Sequence, residues 1–68
     1  MDLHWTEGFS ITVRNENGAV VISANPEGLC SLANHLLTLA EESCGAHLHL
    51  DENNALEDGS VELVLERV

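Results

Sequence analysis

Residues 17–29, Asn17-Gly18-Ala19-Val20-Val21-Ile22-Ser23-Ala24-Asn25-Pro26-Glu27-Gly28-Leu29, contain a turn, a strand and the start of a helix in one stretch. Asn17-Gly18 is a pair that tolerates positive φ at both centres of a type I′ hairpin turn. Val20, Ile22 and Ala24 then recur at period two, with Val21 and Ser23 between them. At Asn25 the chemistry changes. Its side chain can accept the free amides of a first helical turn, Pro26 suits that turn because no N–H is needed there, and Glu27 complements the positive end of the helix dipole.

Working outward, Phe9, Ile11 and Val13 alternate with Ser10, Thr12 and Arg14. A two-residue turn sets Val13 opposite Ile22 and Thr12 opposite Ser23, so apolar meets apolar and polar meets polar. On the other side, Leu29, Leu32, Ala33, Leu36, Leu39 and Ala40 recur at spacings of three and four, with Leu37 on the margin. Ser31, Asn34, His35, Thr38, Glu41 and Glu42 fall elsewhere on the wheel, and Gly45 is the natural stop. Period two then returns: Leu48 and Leu50 against His47, His49 and Asp51, and Val61, Leu63 and Leu65 against Glu62 and Glu66. An acidic loop, 52–59, joins these strands, with Leu56 folding back to pin it. The pattern predicts strands at 9–14, 19–24, 46–51 and 60–67 and a helix at 26–43, in one domain spanning 1–68. Residues 1–8 carry the weakest pattern.

Both hairpins need their apolar face covered, and one amphipathic helix is the available cover. The expectation is an α+β fold of order β-β-α-β-β: a four-stranded, antiparallel-rich sheet with the helix on one face. The opposite face then carries Thr12, Arg14, Val21, Ser23, His47, His49, Asp51, Glu62, Val64 and Glu66.

Twelve acidic residues stand against Arg14 and Arg67, for a formal net charge of −10. Such a field makes nucleic acid and anionic membrane poor partners and attracts basic proteins and cations. A chain of 68 residues holds one core, and dimerisation through a sheet edge or face is an admissible supplement to it. Cys30 and Cys44, placed in one helix, are about 20 Å apart and cannot bridge. Cys30, inside the helix, is read as a packing group and Cys44 as facing the core margin. Unpaired thiols, with no apolar leader or long apolar run, point to a reduced compartment, the cytosol.

His47 and His49, two apart on a strand, point to the same side and could share a metal, with Glu62, Val64 or Glu66 opposite. Alternation alone also generates His-x-His, and no four-ligand set is visible, so no metal and no other cofactor is assigned. His4 and His35 lack local partners and read as surface residues. No phosphate loop, nucleophile elbow or paired zinc motif occurs, so the chain is not read as an enzyme. The acids instead cluster: Asp51, Glu52, Glu57 and Asp58 in the second loop, and Glu62 and Glu66 on the outer face.

Asn25-Pro26-Glu27-Gly28-Leu29, Leu32-Ala33 and Leu36 to Ala40 are followed by Gly45-Ala46-His47-Leu48-His49-Leu50-Asp51 and Gly59-Ser60-Val61-Glu62-Leu63. Over roughly residues 25–68 this resembles immunity protein family 32 of bacterial polymorphic toxin systems. The resemblance implies a cytoplasmic α+β protein that binds a cognate secreted toxin, with no cofactor and no turnover. Many such toxins are nucleases, whose basic sites an acidic inhibitor attracts. On geometry, the residues expected to bind the partner are His47, His49, Asp51, Glu57, Asp58, Glu62 and Glu66. The competing readings are a small metal-binding module built on His47 and His49, and a structural or regulatory module without a toxin.

Overall fold

The computed structural model describes residues 1–68, and its elements are β1 (Ile11–Glu16), β2 (Ala19–Ala24), α1 (Pro26–Ala40), β3 (His47–Leu50) and β4 (Leu63–Glu66). β1 and β2 pair antiparallel, with Val13 opposite Ile22 and Thr12 opposite Ser23. Asn17 and Gly18 have φ of 52° and 87°, as a type I′ turn requires. β3 and β4 also pair antiparallel, setting His47 opposite Glu66, Leu48 opposite Leu65, His49 opposite Val64 and Leu50 opposite Leu63. The fold is therefore α+β, with one helix and antiparallel strands. The helix stops at Ala40, short of 43, because Glu41 N and Glu42 N bond back to the carbonyls of Thr38 and Leu39 and tighten the last turn. Cys44 thus lies beyond the helix, and both cysteines are free and exposed, not packed in the core or on its margin.

The four strands do not form one sheet. They form two separate two-stranded sheets, β1-β2 and β3-β4, and this corrects the four-stranded arrangement expected from the sequence. The reason lies at the outer edge of β1. Its ladder groups are taken by the segment before β4: Glu57 N donates to Ile11 O and Val61 N to Val13 O, each at 2.9 Å. Between them Val13 N donates to Ser60 Oγ at 3.1 Å, so a side-chain oxygen stands where a strand would present a carbonyl. The edge is satisfied without a strand ladder. Ile11, Val13, Leu32, Leu50, Ala55 and Leu56 form the core between the two hairpins and the helix, with Phe9, Ala24 and Leu63 packed against it. Leu56 folds back as the sequence suggests: Asp51 O accepts the amides of Asn54, Ala55 and Leu56, winding the loop so that Ala55 and Leu56 point inward.

The helix is seated on the first hairpin through its N-terminal turn. Asn25 Oδ1 accepts Gly28 N at 2.8 Å as a cap, and also accepts Ser10 N at 3.0 Å, while Asn25 Nδ2 donates to Gly8 O at 2.9 Å. One side chain therefore ties the helix start to the chain entering β1. Gly28 permits this closeness, since a Cβ there would lie 2.5 Å from Ser10 O and 3.0 Å from both Ala24 Cβ and Ile11 Cγ1. One turn further, Ser31 Oγ donates to Glu27 O and accepts Thr6 N at 2.8 Å, which extends the seam to the N-terminal segment. Trp5 of that segment stacks on Phe9, centroids 4.5 Å apart, and meets the ring of His35 edge-on at 4.1 Å.

This seating rotates the helix away from its own apolar stripe. The buried helical residues are Gly28, Ser31, Leu32, His35 and Leu39, centred about a quarter-turn from the expected stripe of Leu29, Leu32, Ala33, Leu36, Leu39 and Ala40, of which Leu32 and Leu39 alone are buried. Leu29, Leu36 and Leu37 are instead 54%, 51% and 69% exposed, and Ala33 and Ala40 are exposed too. His35, read from the sequence as a surface residue, is wholly buried, and neither ring nitrogen has a hydrogen-bond partner. Burial, and secondarily the charge of His4, hold its pKa below the ordinary 6.5.

Two stability predictions follow from this seam. Gly28→Ala, which by helix propensity gains about 1 kcal/mol, should instead cost about 2 kcal/mol in urea unfolding, because the methyl meets backbone at Ser10. His35 stays neutral in the fold but charges at its ordinary pKa when unfolded, so the unfolded state binds more protons. Its contribution is complete above about pH 6.5 and is lost as pH falls from there towards the lowered folded value. His35→Leu should therefore raise stability at pH 7 by about 1 kcal/mol and flatten its decline between pH 7 and 5, measured by urea unfolding across that range.

Candidate partner-binding face

Alternation along β3 and β4 divides the second hairpin into two faces. Leu48, Leu50, Leu63 and Leu65 turn toward the protein, and His47, His49, Val64 and Glu66 turn out. Glu62, just before β4, continues the outer row. Its Oε2 lies 3.1 Å from His49 Nδ1, with both side chains about half exposed. Across the hairpin Glu66 stands opposite His47 in the pairing. The two imidazoles meet edge to face with centroids 5.0 Å apart, as their two-residue spacing requires.

The hydrogen bonds fix how these rings are presented. Gly45 O can only accept, so His47 Nδ1, 3.0 Å away, carries the proton. An ionised Glu62 likewise makes His49 Nδ1 the donor. Each Nε2 is left without an intramolecular partner and lies on an exposed residue, where an incoming protein can reach it.

The loop residues divide. Glu57 and Asp58 are exposed, and the backbone beneath them is fixed by the bond from Glu57 N to Ile11 O and by Gly59 N donating to Glu52 Oε2 at 2.6 Å. Asp51 is different. It is half-buried, its Oδ1 accepts Asn53 N at 2.8 Å, and its backbone amide donates to Asn54 Oδ1, so one carboxylate oxygen is engaged in the turn. His47, His49, Glu62 and Glu66 are thus brought onto one face, Glu57 and Asp58 stand in the loop that leads into it, and Asp51 and Glu52 brace that loop. The bracing role of Glu52 was not evident from the sequence, since an acid seven residues from its glycine partner has no local signature. Asn54, a loop residue whose type suits a turn, donates its Nδ2 to His49 O and steadies the end of β3.

The face is exposed. The surface has no pocket, and nowhere do three or more His, Cys, Asp or Glu side chains converge in a geometry that could hold a metal ion, so the third ligand imagined beside His47 and His49 is not in position. No helix is long and apolar enough to cross a membrane. The outward residues are exposed acids and imidazoles around the half-exposed Val64.

A family model described as Immunity protein 32 matches residues 19–68, a segment holding β2, the helix and the whole of the second hairpin. No curated protein and no solved structure matches the chain.

Because the His49 and Glu62 contact is exposed, it contributes little to folding. Glu62→Gln should shift the unfolding free energy by less than about 0.5 kcal/mol in urea titration, which leaves this position free to report on binding.

Proposed function

We propose that this chain, which belongs to the immunity protein 32 family, binds and neutralises a cognate bacterial toxin through the acidic outer face of its second hairpin and the loop before β4. The observation that carries the reading is the family match over residues 19–68, because an immunity protein implies a toxin as its partner. Charge supports the choice of surface. Six of the twelve acids, Asp51, Glu52, Glu57, Asp58, Glu62 and Glu66, fall in residues 51–66, a stretch with no basic residue. A basic toxin surface is drawn to such a field, and complementary charge speeds encounter more than it slows release. His47 and His49 add two unengaged ring nitrogens for hydrogen bonding at the centre of the patch.

In this reading the protein acts by occupancy, in the cytoplasm of the toxin-producing cell, with no turnover and no cofactor. The toxin is the product of an adjacent gene. Inhibition follows from covering the toxin's own basic surface.

The purified toxin domain encoded beside this chain should bind it in calorimetry, with association slowing as salt rises. Replacing Glu62 and Glu66 together by Lys should weaken binding by about tenfold to a hundredfold, mainly through slower association, while the far-ultraviolet spectrum stays unchanged. Tight binding indifferent to that double change would move the interface elsewhere. Absence of binding to the neighbouring toxin would remove the functional reading itself.

A further inference from the structure

The quarter-turn of the helix leaves an apolar surface along its outward side, where the three exposed leucines stand on one element, while Val20, Ile22, Val61 and Val64 are exposed on the hairpins. From Gly28 to Ala40 the helix carries no charged residue, in a chain with net charge −10. Its outward side presents Leu29, Ala33, Leu36, Leu37 and Ala40, and the three leucines are each more than half exposed. We infer that this face is the contact through which two copies of the chain associate, helix against helix.

Three observations point to a second copy as the occupant. The first is electrostatic. Two molecules of this charge repel wherever their acids meet, and the helix face is the apolar, uncharged stretch across which they can approach. A basic toxin finds no opposite charge on this face to pair with. The second is the small core. Only eight apolar residues are buried, the two cysteines are unpaired and no metal-binding set exists, so the usual staples of a domain this size are missing. Association supplies the burial that they do not. The third is shape. Leu29, Ala33 and Leu37 lie at successive spacings of four, forming one ridge with a small residue between two large ones. That profile lets two helices cross closely at Ala33, each leucine lying beside the other ridge. A two-fold axis at Ala33 makes the contact self-complementary.

The expected strength follows from size. A helix of 15 residues is about 22 Å long, and a crossing of two such helices buries less than the roughly 800 Å² per partner of a standard complex. The dimer is therefore reversible. An antiparallel crossing also brings the first turn of one helix, with Glu27, toward the last turn of the other, near Glu41 and Glu42. Salt screens that repulsion, so association strengthens as salt rises, opposite to the behaviour expected of toxin binding.

Sedimentation equilibrium of the full chain from about 1 µM to about 1 mM tests the proposal. The weight-average mass should climb from 7.4 kDa toward twice that value, with the midpoint at lower concentration in high salt. Ala33→Glu, which places two like charges at the axis, should weaken association at least about thirtyfold. Leu37→Gln, at the most exposed of the helix leucines, should weaken it several-fold and covers the case in which Ala33→Glu does not fold. The Glu62→Lys and Glu66→Lys changes should leave the dimer intact, which separates this contact from the toxin-binding face. A chain monomeric throughout, or a dimer unaffected by both helix changes, overturns the proposal. So does loss of toxin binding in Ala33→Glu without effect on self-association, since the face then belongs to the toxin.

Discussion

The helix rests on the first hairpin at a distance only a glycine allows. With no side chain at Gly28, the carbonyl of Ser10 and the side chains of Ile11 and Ala24 come into direct contact with helical backbone, and Asn25 locks the arrangement by bonding to both sides of the junction. Once that point is set, the rotation of the helix follows. Positions three, four and seven residues on, Ser31, Leu32 and His35, must face inward, and the leucines a quarter-turn away must face out. The polar atoms of Ser31 are satisfied by Glu27 and Thr6, whereas His35 is neutral and unpaired beneath Trp5. A single close contact thus decides which surface is core and which is left exposed.

Much of the local structure was legible in the residues. Asn17-Gly18 and the alternation on either side fix the register of the first hairpin, because a one-residue slip would set polar against apolar along its whole length. Asn25-Pro26-Glu27 marks the helix start because each residue suits a terminus with free amides. The rotation was not legible. A wheel weighs side-chain hydrophobicity, and what governs here is a backbone-to-backbone approach at a residue with no side chain to weigh. The division into two sheets escaped for a similar reason, since Ser60 reads as the first residue of a strand until its hydroxyl is found occupying the edge of β1.

On the outer face of the second hairpin, alternation was enough to place His47, His49, Glu62 and Glu66 together, because strand geometry leaves little freedom. Asp51 continues the same alternation in sequence, yet its Oδ1 accepts Asn53 N and its backbone carbonyl holds the turn that buries Ala55 and Leu56. The difference is one of position, because a carboxylate at the end of a strand faces free backbone amides that one in mid-strand does not. The molecule therefore presents two surfaces of opposite character, one acidic and imidazole-bearing, the other aliphatic and uncharged.

The bonds at the outer edge of β1 also bear on how the chain comes together in time. The β1-β2 turn closes over a few residues and forms quickly, but Ile11 and Val13 find their remaining partners at Glu57, Ser60 and Val61, more than forty positions downstream. During synthesis the first hairpin and the helix must wait, core face uncovered, until the loop before the last strand has left the ribosome. The net negative charge that suits this protein to its proposed partner also keeps such half-made chains apart while they wait.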